Sequence, residues 1–412
     1  MSTSVLGSVT LGYEPIWNQW RHRSGVRLWV EANSDSCADA RHLHAALAEL
    51  WPHTKHPLLL SVRTPALLAD LLEHAPSPGI WIEIQNEWLG DALLAGRVRQ
   101  AQKRGLTMVW RGEPGQAPSA EVQGWFYQCL RSLTPQVALR ALRVTLRQHQ
   151  GLSGSAPAAL PSPVVQGSLY EGLASPALVE HALDRQGASG VIGWPSEEIL
   201  HTYRFKQLQP ARHLVLALVQ AIDADESMET IEQRMGDEPL LNYRFLRFSN
   251  SASLGLQRDI GSVREGLMTL GYSRLRAWLM EQLPHASSDS NLDPIRASMV
   301  LRARIMERLA DAGVEDELRR EVFMCGIFSQ VDLLLGEPLG AALLRLPLPG
   351  RVASAILGQT GPYAPWLEVA TALESGSTRV IREVCKAHRM SSEEVNRALL
   401  RTLATTGIAA RG

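Results

Sequence analysis

The chain is poor in cysteine, carries almost no net charge and lacks any long hydrophobic run. Its 41 Lys and Arg balance 42 Asp and Glu, so overall charge is not expected to capture nucleic acid or an anionic membrane. The longest apolar stretch, "HLVLALVQAI" at 213–222, is shorter than the roughly 20 residues that span a bilayer. The cysteines form no Cys-x-x-Cys pair: Cys37, Cys129, Cys325 and Cys385. A zinc cluster or a disulfide framework is therefore not expected.

The sequence also lacks the common phosphate-binding and nucleophile motifs. It contains no Gly-x-x-x-x-Gly-Lys-Ser/Thr loop, no Gly-x-Gly-x-x-Gly after a strand-like run, and no Gly-x-Ser-x-Gly. The opening "MSTSVLGSVTLGYEPIW" has neither an early basic residue nor an apolar core, so it does not read as a secretion signal. We therefore expect a cytoplasmic protein without membrane insertion, and nucleic acid is not among its expected partners.

Strand-like and helix-like runs alternate through the first half of the chain. The strand-like runs are "VRLWVEA" at 26–32, "PLLLSVR" at 57–63, "GIWIEIQ" at 79–85 and "GLTMVW" at 105–110. This alternation indicates parallel strands joined by helical crossovers, in either an open sheet or a barrel. The Gly/Ala/Pro-rich stretch "GLSGSAPAALPSP" at 151–163 predicts a loop.

From about Phe205 the strand signals disappear and the remaining chain reads as helices. Ser262 and Glu265 form a capping box at one helix start, because the Ser side chain bonds an amide one turn in and the Glu reaches back. Gly271 is expected to end that helix. The predicted fold class is therefore α/β followed by all-α, with domains at 1–200 and 201–412.

The second half resembles an HDOD domain, a helical relative of the HD-type metal phosphohydrolases. The resemblance lies in "DEPLLNYRFLRFSNSASLGLQRDIGSVREGLMTLGYSRLRAWL" at 237–279, with its Asn-Ser-Ala turn and its Leu-Arg-x-Trp ending. Two later segments, "LRARIMERLA" at 301–310 and "GIFSQVDLLLGEPLGAALLRLPLP" at 326–349, look like the subgroup in which HDOD follows an EAL-type domain. The resemblance implies an all-helical HDOD bundle.

The first half is similar to an EAL domain in a degenerate form. EAL domains are TIM-like (β/α) barrels that hydrolyse cyclic di-GMP. "LGYEPIWN" at 11–18 is similar to their opening Gln-Pro-Ile segment, and "GLTMVWRGE" at 105–113 to the strand with their acidic pair. "ASGVIGWP" at 188–195 is similar to their closing region. The resemblance implies a degenerate TIM-like barrel ahead of the HDOD bundle.

The resemblance also implies that the metal ligands of an EAL enzyme are missing. Matched by position, Arg27 stands at the signature Glu and Ser61 at an Asn ligand. Arg111 and Gly112 stand at the Asp-Asp pair, and Arg140 stands at a strand lysine. Because Mg²⁺ takes oxygen ligands, guanidinium groups at these positions argue against a bound metal. No cofactor is expected.

Three carboxylates remain as candidate survivors of the two hydrolase sites. Glu83 in "WIEIQ" and Glu171 in "LYEGLA" lie in the EAL-like half. HD hydrolases need an adjacent His-Asp pair, but no such dipeptide occurs, and "FSQVD" at 328–332 keeps only Asp332. Ordinary polar groups at strand or helix ends are the competing interpretation for all three residues.

Three further features have both a structural and a binding interpretation. Asn250 and Ser251 either bond helix-end backbone groups or line a ligand or peptide pocket. Arg302 shares a helix with other arginines, which either form a solvated face or bind phosphate: Arg296, Arg304 and Arg308. The first half is rich in tryptophan, which either fills the barrel or marks a partner interface.

These observations favour a catalytically inactive bacterial signalling scaffold or adaptor that binds signalling proteins, in cyclic di-GMP or two-component signalling. The first alternative is a residual cyclic di-GMP phosphodiesterase with rearranged ligands. The second is an effector that binds cyclic di-GMP without cutting it, with Arg27, Arg111 and Arg140 facing its phosphates at the barrel mouth.

Overall fold

The computed structural model of this chain describes residues 5–33, 39–51, 56–74, 79–149, 161–254, 258–310 and 315–405. The chain forms two compact units. The first comprises Met1–Glu198 together with Ala372–Gly412, and the second comprises Ile199–Thr371. This division differs from the predicted one, in which the second domain began at 201 and continued to 412. The chain leaves the first unit and returns to it at its end.

A closed barrel of eight strands in chain order forms the first unit within the described residues. Strand β1 is antiparallel to both of its neighbours, β2 and β8, and the other neighbouring strands are parallel. The strands are β1 (Val9–Trp17), β2 (Arg23–Ala32), β3 (Leu58–Val62), β4 (Ile80–Gln85), β5 (Met108–Arg111), β6 (Gln128–Ser132), β7 (Leu169–Glu171) and β8 (Gly190–Ile192). The predicted fold class, a TIM-like barrel followed by a helical region, is confirmed.

The α-helices of the described residues are numbered in chain order. The helices that begin before Ile199 are α1 (Ala40–Leu50), α2 (Pro65–Leu71), α3 (Ala92–Lys103), α4 (Ala120–Gln123), α5 (Pro135–His149), α6 (Pro176–Glu180) and α7 (Ser196–Thr202). The second unit has α8 (Arg212–Asp223), α9 (Met228–Gly236), α10 (Pro239–Ser249), α11 (Val263–Gln282), α12 (Asp293–Leu309), α13 (Asp316–Phe328), α14 (Val331–Leu335), α15 (Leu339–Leu343), α16 (Gly350–Gly358) and α17 (Ala364–Leu373). The last two are α18 (Thr378–Ala387) and α19 (Ser392–Thr405).

One layer of the barrel interior is apolar. Six strands each contribute one buried side chain to this layer: Ile16, Leu59, Val109, Leu130, Leu169 and Ile192. Because these residues come from strands all around the barrel, they can meet only inside it. Trp17, Trp29 and Trp110 are buried, whereas Trp20 is 63% exposed. The partner interface stays a prediction.

Helix α19 completes the free edge of β1. Strand β1 pairs with β8 only at its end, so its first residues need other partners on that side. The buried Asn396 supplies them, because its Nδ2 donates to Leu6 O at 2.7 Å and to Val9 O at 2.8 Å. Its Oδ1 accepts from Leu11 N at 3.2 Å. The C-terminal helix is therefore part of the barrel unit.

The predicted capping box of the second unit is confirmed at the start of α11. Ser262 Oγ accepts from Glu265 N at 3.1 Å, and Glu265 Oε2 accepts from Gly261 N at 2.9 Å. The predicted helix end at Gly271 is only half right. Gly271 leaves the helical conformation, with φ 73° and ψ 167°, but a second helical segment continues directly after it within α11. A positive φ of this kind favours glycine.

Some of the expectations from sequence lie outside the described residues. Cys37 and most of the predicted loop at 151–163 belong to this group. The described cysteines, Cys129, Cys325 and Cys385, are free thiols. A search of the described helices finds none that combines the length and apolar character needed to cross a bilayer.

We expect Asn396→Ala to destabilise the barrel unit by about 2–4 kcal/mol, because it leaves buried backbone groups of residues Leu6, Val9 and Leu11 without partners. The urea midpoint, followed by tryptophan fluorescence, measures this change. Arg401→Ala, at an exposed position of the same helix, is the control and should leave the midpoint unchanged. An equal response of the two variants would contradict the structural role of Asn396.

Candidate functional site

The candidate site is a charged layer inside the barrel, next to the apolar layer. Successive side chains of a strand alternate between its two faces, so residues two apart share the interior face. Two residues further along the strands than the apolar layer, the interior face carries charged side chains. These are Glu83 on β4, Arg111 on β5 and Glu171 on β7. The antiparallel β1 contributes Glu14, and β2 contributes Arg27, which pairs with Glu14 across the two strands.

Arg27 is the centre of the charged layer. Its side chain is 1% exposed and contacts carboxylates from three other strands. Nη2 lies 2.8 Å from Glu83 Oε1, Nη1 lies 2.7 Å from Glu171 Oε2, and Nη1 lies 3.5 Å from Glu14 Oε2. The guanidinium also lies over the Trp29 ring, 3.8 Å from its centroid. A buried charge of this kind is tolerated only with such partners.

Arg111 binds two of the same carboxylates from the other side. Its Nε and Nη2 each lie 2.9 Å from Glu171 Oε1, and its Nη1 lies 3.7 Å from Glu83 Oε1. Glu83 and Glu171 are therefore each shared between two arginines. The layer contains two guanidinium groups and three carboxyl groups, and the third carboxyl, Glu14, has only the longer contact with Arg27.

Burial and neighbouring charge set the ionisation of this layer. Burial raises the pKa of Glu14 above its ordinary value, and the Glu171 and Glu83 charges raise it further, although Arg27 opposes them. Burial alone would lower the pKa of Arg27, but the charges of Glu83, Glu171 and Glu14 outweigh it and raise the pKa. Arg27 therefore stays protonated, and Glu14 takes up a proton at a higher pH than an ordinary glutamate does.

Four buried polar atoms in or beside the layer have no hydrogen-bond partner among the described residues: Arg27 Nε, Trp29 Nε1, Ser61 Oγ and Glu83 Oε2. Trp29 and Ser61 face each other in the pairing of β2 with β3. Unpaired buried polar atoms are costly, so these atoms are available to a small polar ligand or to water. The indole N–H is a donor, which a metal ion cannot use.

The residues present do not fit a divalent metal ion. A metal of the EAL type would need several free carboxylate oxygens, whereas both oxygens of Glu171 and Oε1 of Glu83 contact arginines at 2.7–2.9 Å, which leaves Glu83 Oε2 as the unpaired oxygen of these two carboxylates. In the described part of the chain, no group of three or more His, Cys, Asp or Glu side chains could hold a metal.

The structure brings together Arg27, Arg111, Glu83 and Glu171 but separates Arg140 from them. The sequence placed Arg140 on a barrel strand, which is wrong. Strand β6 ends at Ser132, Thr134 Oγ1 accepts from Val137 N at 3.3 Å, and helix α5 begins at Pro135. Arg140 is exposed on that helix, where its Nη2 donates to Pro161 O at 3.3 Å.

In the second unit, Asn250 fastens a loop to the end of helix α10. Its Nδ2 donates to Leu246 O at 2.8 Å and to Ile260 O at 2.9 Å, and its Oδ1 accepts from Ile260 N at 2.8 Å. These bonds use both ends of the amide, which favours the structural interpretation. The backbone of Ser251 takes part in the same turn, since its N–H donates to Phe248 O at 3.0 Å.

The predicted solvated face of arginines on α12 is wrong for two of its members. Arg302 is buried and donates from Nη1 to Ser329 Oγ at 3.3 Å. Arg296 is buried as well, with its Nε 2.9 Å from Oε1 of the fully buried Glu238. Asp332 lies in the first turn of α14, where burial raises the pKa of its carboxyl.

Two carboxylates that the sequence did not indicate as site residues are Glu14 and Glu31. Glu14 lies within the quoted segment "LGYEPIWN", and its signal was the spacing of Gly12, Glu14 and Ile16 on one face of a strand. Glu31 is the next-to-last residue of β2 and bonds side chains of helix α18: Thr378 and Arg382. Neither contact has a signal in the sequence, because both partners come from distant parts of the chain.

We expect Glu14→Gln to stabilise the barrel unit at pH 7. The folded-state pKa of Glu14 is raised above 4.5, so its contribution to stability is complete below about pH 4.5 and is lost as the pH rises through the raised pKa. The neutral Gln avoids that loss, and its advantage should shrink towards pH 4.

Tryptophan fluorescence during urea unfolding measures this effect, because nine of the 11 tryptophans precede residue 200. Glu83→Gln is the contrasting variant. It leaves Arg27 without its most buried partner and should cost about 3–5 kcal/mol. Loss of stability in Glu14→Gln at pH 7 would show instead that Arg27 needs the Glu14 charge.

Comparison with known proteins identifies the second unit. The HDOD domain family model matches residues 208–335. "Uncharacterized protein YuxH" of Bacillus subtilis is 27% identical over 167 residues, which are 40% of this chain and 40% of that protein. "Cyclic di-GMP phosphodiesterase CdgJ" of Vibrio cholerae is 24% identical over 170 residues, or 41% of this chain and 39% of that protein. The chain thus spans about two fifths of the length of these curated relatives.

Among solved structures, the cGMP-bound EAL enzyme Bd1971 is 12% identical, with a TM-score of 0.28. That comparison covers 45% of this chain and 60% of the other. The barrel is defined by its strand pairing and does not depend on this comparison. The chain thus joins a closed eight-stranded barrel to a helical region in which residues 208–335 match the HDOD domain family.

Proposed function

We propose that this chain is a catalytically inactive bacterial signalling scaffold, which acts in the cytoplasm by binding signalling proteins in a cyclic di-GMP or two-component network. One observation carries the proposal: the Arg27 guanidinium lies among Glu83, Glu171 and Glu14 at 2.7–3.5 Å. The guanidinium of Arg27, a cation that cannot leave, thus lies among these carboxylates of the barrel.

Hydrolysis of a phosphodiester by a metal site needs an exchangeable divalent ion that activates water and polarises the phosphate. Arg27 is covalently attached and always protonated, so it neutralises the carboxylates without offering an open coordination position. Arg111 restrains Glu171 and Glu83 further. An incoming ion would have to break these buried ion pairs, which costs several kcal/mol.

A second candidate is a cyclic di-GMP phosphodiesterase. It is favoured by the similarity to "Cyclic di-GMP phosphodiesterase CdgJ" and by the presence of Glu83 and Glu171 on the interior face of the barrel. Binding of cyclic di-GMP without hydrolysis is the remaining alternative. Of the three arginines considered for it, Arg111 is 30% exposed, Arg27 is 1% exposed and paired, and Arg140 lies on α5.

A turnover assay and a binding assay separate these functions. Cyclic di-GMP is incubated with the full chain and Mg²⁺ or Mn²⁺, and calorimetry is run at high nucleotide concentration. We expect neither turnover nor heat. Turnover that disappears in Glu83→Gln would overturn the proposal in favour of the enzyme, and heat without turnover would favour the effector.

Binding of protein partners is tested with the full chain as bait in its source organism. Partners that co-purify reproducibly, and that bind the purified chain directly in the absence of nucleotide, are the expected result. If every captured protein requires cyclic di-GMP for binding, the effector function replaces the scaffold.

We expect Arg27→Ala to lose about 3–5 kcal/mol of stability, because Glu83 and Glu171 lose their main partner. Millimolar Mn²⁺ should restore part of that loss, since the freed carboxylates can then hold a cation. Thermal unfolding with and without Mn²⁺ measures both effects.

Arg97→Ala is the matched control, because Arg97 also contacts two carboxylates, Asp70 and Glu73, but on the surface. It should change stability little and should not respond to Mn²⁺. An increase of the wild-type unfolding temperature by Mn²⁺ would show that the barrel already binds a metal beside Arg27.

A further inference from the structure

Residues 374–387, a loop followed by helix α18, lie at the end of the barrel where β2 finishes. We name this stretch the closing segment. Glu31, the next-to-last residue of β2, accepts hydrogen bonds from Thr378 Oγ1 and from both Nη atoms of Arg382, the latter at 3.1 Å. TIM-like barrels carry their active sites at this carboxyl end of the strands.

The loop of the closing segment covers part of the charged layer. Arg63, directly after β3, donates from Nη2 to Gly376 O at 2.9 Å and stacks on the Trp29 ring. A Cβ at Gly376 would lie 3.3 Å from Trp29 Nε1 and 3.9 Å from Glu14 Oε1. The Gly376 backbone, with φ 63°, therefore sits directly over Trp29 and Glu14.

Helix α18 also inserts a side chain into the barrel. Ile381 is 2% exposed, and its Cδ1 would lie only 2.9 Å from a Cβ at Gly12 of β1. The missing side chain at Gly12 therefore makes the room that Ile381 fills. The Cβ position at Gly12 would also lie 3.8 Å from Trp29 Cδ1, so Ile381 and Trp29 lie on either side of Gly12 at the wall of the barrel.

The closing segment is held more weakly than helix α19. Glu31 and Arg382 are 27% and 34% exposed, and partly exposed ion pairs contribute little. Helix α18 buries three of its side chains, Thr378, Ile381 and Cys385, whereas helix α19 buries seven, and its Asn396 bonds the β1 backbone. Local opening requires less free energy where fewer side chains are buried. The closing segment can therefore open while α19 remains in place.

We propose that the closing segment is an autoinhibitory lid, which blocks access to Glu14 and Trp29 and opens about α19 as its anchor. A ligand or peptide that binds the charged layer must first displace it. The lid begins three residues after Thr371, the last residue of the unit Ile199–Thr371. This inference holds whether or not the barrel hydrolyses a nucleotide.

Hydrogen exchange of the full chain, read out by mass spectrometry, tests the lid. Glu31→Ala removes the acceptor of Thr378 and Arg382, so exchange across residues 374–387 should accelerate about fivefold to tenfold. Peptides from α19 should keep their wild-type exchange. Thiol labelling gives a second readout, because Cys385 is buried on α18, and burial raises the pKa of its thiol to about 11.

Glu383→Ala is the matched control, because Glu383 pairs only with Arg379 on the exposed side of the same helix. It should change exchange less than twofold, and labelling of Cys325, buried in the second unit, should stay constant in both variants. Arg63→Ala repeats the test at the other attachment point. The lid is refuted if α18 and α19 accelerate together, or if Glu31→Ala and Arg63→Ala behave like Glu383→Ala.

Discussion

The buried guanidinium of Arg27 is the interaction on which the barrel interior depends. Removing a charge from water costs several kcal/mol, and only close, well-oriented opposite charges offset that cost. Arg27 and Glu83 are each 1% exposed and lie 2.8 Å apart, so neither would be tolerated there without the other. Glu171 and Arg111 extend the pair into a chain of alternating charge. The polar layer therefore acts as a single unit on top of the apolar one.

This arrangement has a direct bearing on chemistry. Carboxylates inside a barrel can hold an exchangeable metal ion or a covalently attached cation, but the same oxygens cannot serve both. In this chain Glu83 and Glu171 face guanidinium groups, and the donor Trp29 Nε1 lies beside them. The proposed scaffold function rests on that competition, whereas the carboxylates keep the alternative of a phosphodiesterase open to experiment.

The connectivity of the chain adds a second constraint. The HDOD-containing unit is inserted between the barrel strands and the two helices that complete them, α18 and α19. Asn396 supplies β1 with the hydrogen bonds that a neighbouring strand would make, and the segment before it covers the charged layer. The barrel unit is thus assembled from both ends of the chain, and its last segment follows the second unit directly.

The sequence by itself determined the order of a strand-rich half and a helical half and the capping box at Ser262. Those features depend on local pattern and residue type. Only the tertiary structure decided that Arg27 meets Glu14, that Arg140 lies on a helix, and that the C-terminal helices belong to the barrel. Each of these features depends on contacts between distant residues or on where a strand ends. Such contacts and strand ends produce no periodic pattern in the sequence.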